Sequence, residues 1–134
     1  MKLQLALKAR NSDAVEVALY EEPQNDSRYI ELLIELLPMD WHQSHENIAR
    51  YLQILKPTCA VPVLMEVATK KFSYLKHDNS LALARKCVWA LADIGTQEAR
   101  NSLQVLSQCG DTEIEGFATK RLNKWNEESA RKRA

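Results

Sequence analysis

The chain has 134 residues, a length typical of one domain, and its 46% apolar and 27% charged residues are ordinary proportions for a globular protein. The 18 basic and 18 acidic side chains balance, which argues against a nucleic-acid binder acting through a large positive charge. No apolar stretch approaches the ~20 residues that span a bilayer, and no secretory signal is visible at the N-terminus. Three scattered cysteines fit a reducing compartment, so we expect a cytoplasmic protein without membrane contact.

Apolar residues recur at three- and four-residue spacing along nearly the whole chain, and strict alternation is absent. Only three glycines and four prolines are present, too few for a β protein rich in tight turns. The pattern therefore predicts an all-α fold. We expect helices at 2–9, 13–21, 27–37, 44–55, 59–70, 80–94, 97–107 and 112–126.

Residues with short polar side chains precede most of these segments and can accept the free amides of a first helical turn. The candidates for this capping role are Ser12 or Asp13, Asp26 or Ser27, Ser44, Thr58, and Asp111 or Thr112. Gly95 and Gly110 stand where the sixth and seventh helices need a left-handed residue to end.

An internal repeat appears when residues 48–67 are overlaid on 87–106, a shift of 39. Leu52 then meets Leu91, and Leu64 meets Leu103. A second overlay, at a shift of 31, places residues 87–94 on 118–125. Helix pairs that recur at intervals of 30–47 residues are typical of α-solenoids, in which stacked neighbours share one continuous core.

The run Cys87-Val88-Trp89-Ala90-Leu91-Ala92-Asp93-Ile94-Gly95-Thr96-Gln97-Glu98-Ala99 resembles HEAT-like repeats of the bacterial lyase-associated type. Ala92 stands where that family often has glycine. The junction at 55–62 reads as the same motif one unit earlier, with Lys56 in place of glycine. The resemblance implies a short α-solenoid of about three helical hairpins, an architecture that serves many functions.

We therefore expect a single HEAT-like domain over residues 1–126. Residues 44–126 carry the clearer repeats, whereas residues 1–43 fit only as degenerate or N-terminal capping helices. Residues 127–134 form a basic C-terminal tail that we expect to be frayed and solvated, with Arg131, Lys132 and Arg133 at its end.

The segment 70–79 is longer than most connections in such repeats. Its aromatic, histidine and lysine side chains would suit an exposed binding loop, because insertions in solenoids map to one face. The alternative is that Phe72 and Leu75 pack back onto the core.

Catalytic chemistry has little support in the sequence. His42 and His45 lie three residues apart, but a third metal ligand at suitable spacing is missing. The pair His45-Glu46 resembles one His-Glu motif of the deoxyhypusine hydroxylase family, which needs several such pairs to hold two irons. Cys87 lies on an apolar helix face and is expected in the core. We expect no catalytic residue, no metal and no cofactor.

Within the predicted helix 80–94, Leu81, Ala84, Val88, Leu91 and Ile94 form the apolar stripe. Arg85, Trp89 and Asp93 lie off that stripe at four-residue spacing, and the family resemblance places them on the inner groove. Tyr74 and Asp78 would lie at its rim, with Trp41 and His45 one unit earlier. Such aromatic and arginine side chains are typical of protein interfaces.

Two alternatives remain for these residues: Trp89 packs between adjacent repeats, and Arg85 forms an ion pair with Asp93 or Asp78. A basic cluster near aromatics, formed by Lys70, Lys71, Lys76, Arg85 and Lys86, keeps nucleic-acid binding open without favouring it.

These observations together predict a non-catalytic protein that binds one partner protein, one to one, through a concave helical groove. By fold and size the chain resembles small bacterial immunity proteins, which neutralise a cognate toxin domain. The alternatives are a scaffold or adaptor of another complex, a DNA-binding HEAT-like protein, and, more remotely, a metal-dependent enzyme.

Overall fold

The computed structural model describes residues 1–20 and 25–133, with side chains to residue 128. All regular structure in that part of the chain is helical, as predicted. Two 3-10 helices, Thr58–Ala60 and Ser73–Asp78, accompany the α-helices. The α-helices are α1 (Lys2–Ala9), α2 (Ser12–Tyr20), α3 (Ser27–Leu36), α4 (His45–Leu55), α5 (Val61–Ala68), α6 (Leu81–Ile94), α7 (Gln97–Leu106) and α8 (Thr112–Arg133).

Two predicted helices differ from the structure by more than one residue at an end. The predicted helix 59–70 opens with a 3-10 turn and continues as the shorter α5, with Pro62 in its first turn. The last helix does not stop at 126 but extends to Arg133, so the tail predicted to fray is helical. Residue 21 of the predicted second helix lies outside the described residues, as do the side chains of Arg131, Lys132 and Arg133.

Helix starts follow the predicted capping chemistry at two of the five positions. Asp26 accepts two main-chain amides at the start of α3, and Asp111 does the same for α8. Helix α2 differs, because Asn11, not Ser12 or Asp13, accepts the amide of Ala14 at 3.0 Å. Neither Ser44 nor Thr58 uses its side chain as a cap.

The two junctions that the repeat overlay matched have the same backbone conformation. Lys56 ends α4 with φ 55°, and Gly95 ends α6 with φ 74°, both in the left-handed region. Each donates its amide to the carbonyl four residues earlier. The lysine therefore occupies a position that glycine adopts at lower cost.

Helix α6 lies at the centre of the packing and contacts α4, α5, α7 and α8. Side-chain pairs Glu46–Lys86 and Gln53–Asp93 join α4 to α6 with residue numbers rising together, so these two helices run parallel. Helix α5 also packs on α7, and α7 packs on α8. The core is continuous from Leu3 in α1 to Ala118 in α8.

The segment 70–79 is packed against the core and is not an exposed loop. Phe72 and Leu75 are 4% and 5% exposed. The amide of Phe72 donates to the hydroxyl of Ser80, which ties the two ends of the segment together. None of the helices in the described chain has both the length and the apolar character needed to cross a membrane.

The two junctions give a paired stability prediction. Lys56→Gly should raise the free energy of unfolding by up to ~1 kcal/mol, because glycine adopts the left-handed conformation without steric strain. Gly95→Ala should lower it by about the same amount for the same reason. Urea denaturation of both variants measures these changes. Equal shifts of the same sign in both variants would contradict the equivalence of the junctions.

Candidate protein-binding surface

Helix α6 turns Arg85, Trp89 and Asp93 away from its buried side, as the four-residue spacing predicted. Arg85 and Asp93 are exposed, and Trp89 is half-buried. The buried side of α6 is wider than the predicted stripe, since Leu83, Cys87 and Ala90 are also buried. Leu81 and Ile94, predicted within the stripe, are only half-buried.

Asp93 connects three helices. One of its carboxylate oxygens accepts a hydrogen bond of 2.8 Å from the side-chain amide of Gln53 in α4. The other lies 3.5 Å from the guanidinium of Arg121 in α8. A carboxylate held from both sides fixes the relative positions of α4, α6 and α8 at this surface.

Trp89 packs against α8. Its ring meets Phe117 edge to face, with centroids 6.2 Å apart, and Arg121 stacks over it at 5.4 Å. The packing alternative for Trp89 is thus partly right, because one side of the ring contacts a neighbouring helix while the rest stays accessible. The pairs Trp89–Phe117 and Asp93–Arg121 also show that α8 runs parallel to α6.

A cleft of about 310 Å³ opens beside Trp89 and is lined by Gln53, Arg85, Lys86 and the indole itself. Lys86 is neutralised by Glu46 at 3.1 Å. Arg85 has no ion-pair partner in the part of the chain that the structure describes, so the predicted pairs with Asp93 and Asp78 do not form.

Arg50 extends this surface. It lies four residues after Glu46 and three before Gln53, which places it on the same side of α4, and it is exposed. We call the whole patch the α4–α6–α8 face, and it comprises Glu46, Arg50, Gln53, Arg85, Lys86, Trp89, Asp93, Phe117 and Arg121. Its four basic and two acidic groups leave a positive surplus.

His45 is part of the interior and not of this face. Its ring is fully buried, stacked on His42 with centroids 4.1 Å apart and packed on Phe72 at 3.9 Å. One ring nitrogen, Nε2, donates to the carbonyl of Met39, and Nδ1 accepts from the Tyr74 hydroxyl at 2.6 Å. The prediction that His45 lies at the rim of a groove is corrected, because burial removes it from any partner.

His42 is bound in the same way. Its Nε2 lies 2.7 Å from the carbonyl of Leu36, and its Nδ1 accepts the amide of Ser44 at 3.1 Å. Both histidines therefore use both ring nitrogens within the fold and have no free lone pair for a metal. Nowhere in the described chain do three histidine, cysteine or acidic side chains cluster as metal ligands.

Burial shapes the acid–base properties of this cluster. It lowers the pKa of His45 to about 4 and also lowers the pKa of His42, because a charged imidazolium is poorly solvated there. Burial likewise raises the pKa of the Tyr74 phenol to about 12. The cluster is neutral near pH 7 and joins α4 to the segment 70–79.

The other predicted rim residues also have structural partners. Trp41 is half-buried, with its ring nearly perpendicular to that of His42 and its indole N–H directed at the sulfur of Met39. Asp78 accepts the amide of Ala82 at 3.0 Å and thereby caps α6. Of the seven predicted binding residues, Arg85, Trp89 and Asp93 share one surface, whereas Trp41, His45 and Tyr74 form a separate cluster.

Two lysines of the predicted basic cluster, Lys70 and Lys71, also have structural partners. Lys70 donates to the carbonyl of Pro38 and lies over the ring of Phe72. Lys71 donates to the carbonyl of Asn79 and pairs with Asp111 at 3.5 Å. Both lysines therefore brace the packed segment.

Cys87 is fully buried as predicted, and burial raises the pKa of its thiol to about 12, which keeps it protonated and unreactive. Cys59 and Cys109 are exposed free thiols.

Sequence reasoning missed the contributions of α4 and α8 to the surface. Gln53, Phe117 and Arg121 are remote in sequence from α6. One signal was available: Phe117 and Arg121 repeat the four-residue spacing of Trp89 and Asp93.

Comparison of the chain with protein-family models, with curated proteins and with solved structures found no match.

The buried histidine pair makes stability depend on pH. The pKa of His45 is lower in the folded chain than its ordinary 6.5, so the unfolded chain binds the proton first as pH falls. Stability should be full above pH 6.5 and fall progressively toward pH 4, with His45 contributing on the order of 3 kcal/mol.

Urea denaturation across this range measures the effect. His45→Gln should flatten the dependence, whereas His77→Gln, at an exposed histidine, should leave it unchanged. If the free energy of unfolding of His45→Gln depends on pH as strongly as that of the unmodified chain, the buried ring of His45 does not control this dependence.

Proposed function

We propose that this chain is a non-catalytic protein-binding module and that the α4–α6–α8 face is its contact surface. The observation that carries the proposal is an exposed, unpaired Arg85 beside the half-buried ring of Trp89 in a cleft of about 310 Å³. Arginine and tryptophan are the side chains most enriched among residues that dominate binding energy.

The surroundings of the cleft support this role because they are fixed before binding. Asp93 bridges Gln53 and Arg121, and Arg121 in turn stacks on Trp89. Side chains already held in place lose little conformational entropy when a partner docks. A rigid face of this kind suits stoichiometric recognition.

The arrangement of helices supports the finer proposal of a short α-solenoid built from HEAT-like hairpins. Helices α4, α6 and α8 run parallel, and α5 and α7 return the chain between them. The matching left-handed residues Lys56 and Gly95 end two of these helices. In such a stack the α4–α6–α8 layer would be the inner, concave one.

The charges of the face favour an acidic partner. Glu46 and Asp93 are already neutralised by Lys86 and Arg121, while Arg50 and Arg85 are exposed cations. A partner segment that presents carboxylates to these arginines and an apolar side chain to Trp89 would complement the cleft in charge and shape.

A cytoplasmic immunity protein that neutralises one toxin domain, one to one, is the specific role we propose. A rigid face and exposed free thiols at Cys59 and Cys109 support it. A scaffold or adaptor would use the same face, but it would bind a partner that is not inhibited.

The test begins with capture of partners by the tagged chain from cells of its source, followed by calorimetry with the purified candidate. Arg85→Glu should weaken binding by at least about tenfold, because it sets a carboxylate against an acidic segment. Trp89→Ala should cost a similar factor through lost contact area.

Lys8→Glu is the matched control, since it reverses an exposed charge on α1, away from the face. Unchanged affinity in both Arg85→Glu and Trp89→Ala would refute the assigned surface. Salt-sensitive binding to DNA that depends on Arg85, with no protein partner, would replace the proposed function by nucleic-acid recognition.

A further inference from the structure

The buried histidine pair joins two connections that lie far apart in the sequence. His42 belongs to the connection between α3 and α4, and His45 is the first residue of α4. Phe72 packs on the ring of His45 with centroids 3.9 Å apart, and the Tyr74 hydroxyl lies 2.6 Å from Nδ1 of His45. We call these four side chains the histidine latch. They hold the segment 70–79 against the start of α4.

The hydrogen bonds of the latch fit neutral rings. In both histidines Nε2 faces a main-chain carbonyl, that of Leu36 or Met39, so Nε2 carries the proton of the ring. The Nδ1 atom of His42 lies 3.1 Å from the main-chain amide of Ser44. Because an amide only donates, a second proton on that ring would set two donors against each other. The geometry therefore disfavours a charged ring while the latch is closed.

The surrounding charges do not compensate for a positive ring. The two imidazoles are stacked with centroids 4.1 Å apart, so two positive charges would repel at close range. Near His45, Asp40 favours the charged form, but it is exposed to water, and Lys70 opposes it. Tyr74 stays neutral in acid, and Glu46 is already paired with a lysine of α6. Burial of both rings adds the cost of poor solvation.

The helices around the latch are held by apolar packing that does not involve it. Helices α4 and α5 both pack along α6. Ile48 and Leu52 of α4 and Leu64 of α5 are fully buried. The latch lies at the first residue of α4, before these apolar positions. Separation of the segment 70–79 from the start of α4 would therefore leave the helical array in place.

We propose that the histidine latch is an acid-sensitive device that opens locally. Acid raises the population of an open form in which both rings are charged, Phe72 and Tyr74 have separated from His45, and the helical array stays folded. Water reaches the charged rings in this form, and the stacked imidazoles move apart. The opening is distinct from the loss of overall stability in acid, because only the segment 70–79 and the start of α4 take part. It does not depend on the proposed function.

The direction and size of the effect follow from proton linkage. Burial lowers the pKa of His45 to about 4 in the closed latch, whereas an opened and hydrated ring regains its ordinary pKa of 6.5. The open form therefore binds the proton first as the pH falls, and acid shifts the equilibrium toward it. Between pH 7 and pH 4.5 this difference favours opening by about 50-fold at His45 alone. The lowered pKa of His42 acts in the same direction.

Amide hydrogen exchange of the purified chain, followed by nuclear magnetic resonance at pH 7 and pH 4.5, tests the proposal. The amides of Ser44 and Phe72 report on the latch, since they donate to the ring of His42 and to the hydroxyl of Ser80. After correction for intrinsic exchange rates, their protection should fall by at least about 30-fold in acid.

Low concentrations of urea separate local opening from global unfolding. The protection of the latch amides should not respond to urea, because local opening exposes little surface. The amide of Leu91, a fully buried residue of α6, should stay better protected at pH 4.5 and should lose protection as urea is added.

His45→Gln tests the titrating group, because glutamine can donate to Met39 and accept from Tyr74 without changing its charge. This variant should lose most of the pH dependence at Phe72. His77→Gln is the matched control, since His77 is exposed in the same segment, and it should behave like the unmodified chain.

Latch amides whose protection is the same at both pH values would overturn the proposal. So would a loss of protection that equals that of Leu91 in size and in urea dependence, because the chain would then open only by unfolding as a whole. An unchanged pH dependence at Phe72 in His45→Gln would also contradict it. Circular dichroism confirms that each variant keeps its helices.

Discussion

Burial of α6 between α4, α5, α7 and α8 is the constraint on which the rest of the structure depends. Small and medium side chains such as Ala84, Cys87 and Ala90 allow the four neighbours to approach closely. Only one strip of α6 then reaches water, and it carries Arg85, Trp89 and Asp93. The packing of the core thus decides which side chains can meet a partner.

Much of the fold follows from local sequence patterns. Apolar spacing predicts all eight helices, and the overlay of 48–67 on 87–106 anticipates that Lys56 and Gly95 share one backbone conformation. The end of the last helix was predicted wrongly, since α8 extends beyond 126. For the segment 70–79 the sequence left an exposed loop and a packed segment open, and the structure has the packed one, because Phe72 and Leu75 contribute apolar surface to the core.

The candidate site was predictable only within one helix. Spacing along α6 placed three residues on one side, because side chains four apart lie on one face of a helix. It could not show that Asp93 would bind Gln53 and Arg121, which are separated from it by tens of residues. Nor could it show that His45 would be buried, since its partners Met39 and Tyr74 come from two different connections.

Nuclear magnetic resonance can show whether a protein partner docks on the α4–α6–α8 face. Titration of the labelled chain with its partner should shift the indole N–H resonance of Trp89 and leave that of Trp41 in place. Trp41 is the internal reference, because its indole N–H is directed at Met39 within the fold. A saturated complex in which the Trp89 resonance does not move, while resonances of α5 and α7 do, would contradict docking on the α4–α6–α8 face.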